Sequence, residues 1–97
     1  MAAASGLLSR AELDEALGSL PGWRLEDGAL VRDYRFAGFS EAFAFLTRVA
    51  LLAEKADHHP DIHNSWARVT LRLSSHDAGG VTQRDVDLAS AIDALGG

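Results

Sequence analysis

The chain has 97 residues, 47% of them apolar and 24% charged, with a formal net charge of −5 and no cysteine. This length supports a single domain around one modest core, and the negative balance argues against a general electrostatic grip on nucleic acid or anionic lipid. The absence of cysteine excludes disulfides, thiolate nucleophiles and cysteine–zinc sites.

One domain is expected over 1–97, with Met1 to Leu8 as a flexible end. Met1 to Ala4 lacks the basic start and apolar run of a secretory leader, so a cytoplasmic location is expected. Ser9-Arg10-Ala11-Glu12 has the pattern of a capping box, and Leu13, Ala16, Leu17 and Leu20 follow at helical spacing until Pro21-Gly22. Trp23 to Leu25 and Ala29 to Phe36 flank Glu26-Asp27-Gly28, and an Asp-Gly turn between candidate strands predicts a hairpin.

The longest helix is predicted over 40–57, with Ser40 as its N-cap and Pro60 preventing its extension. At 100° per residue its apolar positions, from Phe39 to Ala56, cover roughly 180°, where about 100° would serve one core. The surplus fits either a deeply buried helix or one that packs on a sheet and also on a partner subunit, and the small size of the chain favours the partner. Arg48 interrupts the apolar run well short of a bilayer span, so no membrane contact is expected.

Beyond Pro60, Ile62 to Ser65 is a short candidate strand. Arg68 to Ser74 alternates, with Val69, Leu71 and Leu73 on one side and Arg68, Thr70 and Arg72 on the other, the pattern of an antiparallel strand buried on one face. Ala78-Gly79-Gly80 makes a turn. Thr82-Gln83-Arg84-Asp85 repeats the capping-box pattern and opens a last helix marked by Leu88, Ala91, Ile92 and Leu95 and ended by Gly96-Gly97. The order is α-β-β-α-β-β-α, and the simplest fold is an α+β one: a four-stranded antiparallel sheet with three helices packed on one face.

All four histidines lie between Glu54 and Asp85, at positions 58, 59, 63 and 76. Imidazoles suit proton transfer near neutral pH or metal binding. Each also has a plainer reading. His58-His59 before proline equally describes a polar corner closing a helix, His76 an exposed loop residue, and His63 a sheet-face residue. Asp85 serves the helix cap whatever else it does, Glu54 can be a solvated helix residue, and Trp23 and Trp66 can be packing aromatics. No His-Glu-x-x-His pair, Gly-x-Ser-x-Gly elbow or glycine-rich phosphate loop is present. No metal site is therefore expected, although a histidine metal site is a rival reading. A cofactor-independent acid–base site is what these side chains best compose.

Glu54, His58, His59, Pro60, Trp66, His76 and Asp85, together with the Asp-Val-Asp-Leu-Ala-Ser run at 85–90, resemble the pterin-4a-carbinolamine dehydratase family in type and interval. The best known member of that family doubles as a dimerisation cofactor of a homeodomain transcription factor. Trp66 stands where tyrosine is commoner, and His63 is outside the pattern. The resemblance implies loss of water from a 4a-hydroxytetrahydropterin to give quinonoid dihydropterin, in tetrahydrobiopterin recycling, with no cofactor. It implies catalytic roles for His58, His59, His76 and Asp85. His58 and His76 would be the acid–base pair, His59 would also bind and orient the pterin, and Asp85 would orient an imidazole. Glu54 and Trp23 would contribute to substrate binding. It further implies homodimers through sheet edges or homotetramers through helix 40–57, with no direct nucleic-acid contact. The alternative on the same fold is a non-catalytic partner-binding or assembly module.

Overall fold

A computed structural model describes residues 6–96 of the chain. Helix α1 (Arg10–Gly18) starts at the expected box: Ser9 Oγ accepts from the Glu12 amide at 3.1 Å, and Glu12 Oε1 accepts from the Ser9 amide at 2.7 Å. Two orphan amides of the first turn are thereby satisfied. The chain is tied down earlier than the sequence suggested. Leu7 bridges Thr82, and the Leu8 amide donates to the Val81 carbonyl at 3.0 Å. The remainder of the expected flexible end, residues 1–5, lies outside the described residues.

Strands β1 (Arg24–Glu26) and β2 (Ala29–Arg35) form the predicted hairpin. Asp27 and Gly28 both have positive φ, 48° and 75°, as a two-residue turn compatible with strand twist requires. The first strand starts one residue later than expected, which leaves Trp23 just ahead of it. Helix α2 (Phe39–Ala56) begins before the expected Ser40 cap: Gly38 is the N-cap, and its carbonyl accepts from the Ala42 amide at 3.1 Å. Ser40 is thus a helical residue, because Phe39 already takes helical geometry. Strands β3 (Asp61–Ser65) and β4 (Arg68–Leu73) make the second hairpin, and α3 (Gln83–Asp93) closes the fold. Helix α3 stops short of the expected Gly96-Gly97 end; Gly97 lies outside the described residues.

The sheet order is β1-β2-β4-β3, antiparallel throughout. Its register puts Leu30 opposite Leu73, Arg32 opposite Leu71 and Tyr34 opposite Val69, so these six share one face. That face meets Ala42, Phe45, Leu46 and Val49 of α2 and Leu88, Ala89 and Ile92 of α3 in one core, with Leu13 and Leu17 of α1 packed at its border. The predicted α+β architecture is the observed one. At the tip of the second hairpin Trp66 has φ of 59°, unusual for a bulky residue. Asn64 supports that bend by donating to the carbonyls of Trp66 and Arg68, both at 3.0 Å.

One polar group interrupts the core face. Asp93 accepts from Trp23 Nε1 at 2.9 Å and from Arg32 Nη1 at 2.7 Å, and the Arg32 guanidinium carbon stands 4.6 Å from the centroid of the Tyr34 ring. Gly22 leaves room for this guanidinium, since a Cβ there would come within 2.5 Å of it. Burial pushes the Tyr34 phenol up to about 12 from 10.0. A phenol that holds its proton longer in the folded than in the unfolded chain makes stability fall as pH rises between those two values. The loss reaches about 2 kcal/mol by the upper end. Because Tyr34 is the sole tyrosine, absorbance at 295 nm reads it directly. The expected midpoint is near 12 in buffer and near 10 in denaturant.

Candidate active site

The last turn of α2 sets the site. Asp57 caps the helix in the left-handed region at φ of 51°, which turns the chain so that the His58 amide donates back to the Ala53 carbonyl at 3.1 Å. The turn sends His58 inward, where it is buried, and leaves His59 outside. Pro60 cannot continue the helix and passes the chain to β3. The adjacent histidines therefore diverge into two environments.

His58 Nε2 lies 2.5 Å from Oδ1 of Asp85, a carboxylate with 0% exposure. The other oxygen, Oδ2, accepts from the Thr82 amide at 2.9 Å and from Ser75 Oγ at 3.0 Å. Ser75 Oγ and Thr82 Oγ1 are 2.8 Å apart. Since Ser75 gives its proton to the carboxylate, Thr82 donates to Ser75, and the chain of hydroxyls runs one way into Asp85. A buried carboxylate persists only when its lone pairs are satisfied. Here it accepts three bonds from three segments, the corner after α2, the end of β4 and the cap of α3. As a carboxylate Asp85 can only accept, so Nε2 of His58 donates to it and Nδ1 is left for other partners.

His76 follows Ser75 directly and is exposed. Its loop is tight: the Ser75 carbonyl accepts from the amides of Ala78, Gly79 and Gly80 at 3.0, 2.9 and 3.3 Å, with Gly79 at φ of 79°. Asp77 accepts from Arg84 Nη2 at 2.8 Å, which lowers its carboxyl below the usual range and clamps the loop to the start of α3. His76 therefore stands one peptide unit from the hydroxyl chain that ends on Asp85. His59 pairs with Glu54 at the surface, one turn of helix back.

The sequence candidates thus fall into groups. His58 and Asp85 are joined directly, His59 and Glu54 form a second pair, and His76 is tethered to the first through Ser75. Trp23 is elsewhere: it is buried, and its indole N–H is taken by Asp93, eight residues beyond Asp85 along α3, or about 12 Å at 1.5 Å per residue. Trp66 is 75% exposed at the tip of the second hairpin, at the opposite end of the sheet from Asp61 and the histidine corner. His63 faces away from the helices, opposite Thr70. A hollow of about 390 Å³ beside His58 is lined by Leu52, Lys55, Ala56, Arg84, Leu88 and Ala91, with Asp87 at its edge. Among the described residues no three His, Asp or Glu side chains gather as a metal ion would require.

Ser75 is the participant that residue-by-residue reading overlooked. It is a plain serine beside another, and its only sequence signal was a polar residue continuing an apolar strand immediately before His76. The double duty of Asp85, by contrast, follows from a capping box with a histidine nearby.

Fold and cluster together define an α+β protein in which a buried carboxylate anchors an imidazole at the end of the sheet. The family described as pterin 4 alpha carbinolamine dehydratase matches residues 6–95, and the chain belongs to it. A relative from Rhodopseudomonas palustris (strain HaA2), named for pterin-4-alpha-carbinolamine dehydratase, is 52% identical over 92 residues, covering 93% of this chain and 91% of its own. One of the same name from Synechococcus sp. (strain WH7803) is 50% identical, with 94% and 98% covered. Among solved structures, the transcriptional coactivator/pterin dehydratase of Brucella melitensis superposes with a TM-score of 0.88 at 41% identity, covering 93% of this chain and 98% of that one. A pterin dehydratase-like protein described as a RuBisCO assembly factor of the alpha-carboxysome gives 0.62 at 25% identity, with 77% and 87% covered.

If Ser75 holds Asp85 in place, Ser75→Ala removes one acceptor bond from a fully buried carboxylate and is expected to cost about 1–3 kcal/mol. Urea unfolding of the variant checks this. A loss within about 0.5 kcal/mol, the range of an ordinary surface change, would mean that the hydroxyl chain does not hold the site.

Proposed function

We propose that the protein is a hydro-lyase that removes water from a 4a-hydroxytetrahydropterin by histidine acid–base catalysis. The observation that carries the reading is the buried His58–Asp85 pair, bonded also to Ser75, the residue before His76, in a chain that belongs to the dehydratase family over nearly its whole length. Dehydration needs an acid to protonate the C4a hydroxyl as the C–O bond breaks. The N5 lone pair supplies the push, and a base takes the N5 proton. One proton enters the leaving water, one leaves N5, and the products are water and quinonoid dihydropterin. No electrons are exchanged with an outside group.

His58 suits one half of this exchange. Its Nε2 proton is held by Asp85, so Nδ1 is free to take up or release a proton, and Asp85 stabilises the imidazolium that forms. His76, exposed on a loop clamped at both ends, suits the other half. His59 and Glu54, paired at the surface, would bind and orient the heterocycle, where a carboxylate can accept from ring N–H groups. Tetrahydropterin recycling is the metabolic setting this reaction would serve. The non-catalytic alternative gains no support from a chain that keeps its histidine set and buries a carboxylate to hold one of them.

General acid–base groups contribute about 10²–10⁴-fold. Turnover of enzymatically generated 4a-hydroxytetrahydropterin is therefore expected to fall by about 10²-fold or more in His58→Ala and in His76→Ala. The exposed position of His76 makes its variant the one that keeps the fold. Wild-type turnover in both variants would refute the assignment.

A homo-oligomer is part of the proposal. Phe39, Phe43 and Leu51 of α2 are 48%, 55% and 68% exposed, so the broad apolar arc is not explained by burial within one chain. Among the described residues the outer edge of β3 is also unpaired. Light scattering after size exclusion is expected to give a multiple of the chain mass, and Phe43→Glu to lower that multiple. A monomeric wild type would contradict it.

A further inference from the structure

The sheet face turned away from the helices carries polar groups that the dehydratase reading leaves unused. The register sets Arg35, Arg68 and Ser65 in one cross-strand row, and Asp33, Thr70 and His63 in the next. Arg35 and Arg68 are directly opposite each other and both exposed. Like charges in that relation destabilise a sheet. Among the described residues neither guanidinium has a carboxylate partner, whereas Arg24, Arg32 and Arg84 all do.

The carboxylate on the same face is already committed. Asp33 accepts from Thr70 Oγ1 at 2.7 Å and from Arg24 Nη1 at 2.8 Å, and these bonds, the Thr70 one foremost, hold it ionised below the usual carboxylate range. These two rows line a hollow of about 540 Å³, together with Tyr34 and Val69. Into it the sheet offers two guanidinium forks, the Ser65 hydroxyl and the His63 imidazole, while Thr70 has spent its proton on Asp33.

Two positive charges without an internal partner, within a chain of net charge −5, call for a compact anion. A polyanion would meet the negative remainder of the surface. A single carboxylate would neutralise only one arginine, while a phosphate dianion neutralises both and matches the bidentate geometry of guanidinium. We propose that this open face binds a phosphate group, free or on a small phosphorylated molecule, through Arg35 and Arg68. The site is distinct from the histidine corner. Arg72, opposite Asp61 where that corner begins, lies four residues from Arg68, about 13 Å along the strand.

The test uses the full chain, ¹⁵N-labelled, titrated with inorganic phosphate, glycerol phosphate, acetate or a short oligonucleotide, with sodium chloride balancing ionic strength. The expected result is saturable movement of the amides of Arg35, Ser65 and Arg68 to Thr70 with either phosphate compound and not with acetate. Affinity should weaken at least 10-fold in Arg35→Gln and Arg68→Gln and stay unchanged in Arg48→Gln. Tighter binding of the ester than of the free ion identifies a phosphorylated metabolite, and equal binding identifies phosphate itself. Without phosphate the two variants should melt about 1–5 °C higher than the wild type, because the repulsion is relieved, and phosphate should raise only the wild-type Tm. The proposal is overturned if acetate moves the same amides equally, if the variants bind as the wild type does, or if the oligonucleotide binds more tightly than both phosphates.

Discussion

The Asp85 carboxylate is the group on which the remaining arrangement depends. It is fully buried, and an ionised carboxylate out of water is costly unless every lone pair finds a donor. The donors come from places far apart in sequence: the corner after α2, Ser75 two residues past β4 and the cap of α3. Satisfying one charge therefore fixes how three segments meet. The same bonds cap a helix, orient a histidine and hold the base of the loop that carries His76. Structural and chemical demands coincide in that one residue.

The backbone prepares this convergence. A left-handed Asp57 turns His58 under the helix, and Pro60 then commits the chain to the sheet. The loop from Ser75 to Gly80 folds three amides onto one carbonyl, so the exposed imidazole at 76 is carried on stiff main chain. Rigid supports of this kind would limit reorganisation in the proton transfer proposed for this site. A cross-sheet tie of a different sort, Trp23 and Arg32 on Asp93, secures the other end of α3. The helix is thus pinned by a carboxylate near each terminus.

Much of this was legible in the sequence. Both capping boxes, the Asp-Gly hairpin and the alternation of Val69, Leu71 and Leu73 specify elements through local chemistry, and each is found where the residues put it. The α+β order follows from those elements. Boundaries shifted where local signals compete: Ser40 is a better cap residue than Gly38, yet the helix takes in Phe39. The last helix stops at Asp93, ahead of its glycines. For the site, the capping role of Asp85 was readable in its Thr-x-x-Asp box, and the nearness of an imidazole to it was an expectation that His58 alone meets by direct contact. Ser75 was not, since a serine at a strand end has no distinctive pattern, and its role exists only once Thr82 and Asp85 arrive from elsewhere. Nor could spacing reveal that the Trp23 indole N–H is spent on Asp93, or that Arg35 faces Arg68, because both depend on pairing across the sheet.

In the proposed reaction His58, held by Asp85, and His76 act on one heterocycle. The most direct measurement is a crystal structure of the protein with a reduced pterin bound. The expected result is a pterin with its C4a–N5 edge within hydrogen-bonding reach of the imidazoles of His58 and His76, and with His59 or Glu54 at its periphery. A pterin ordered elsewhere, with neither of those two rings in contact with it, would contradict it.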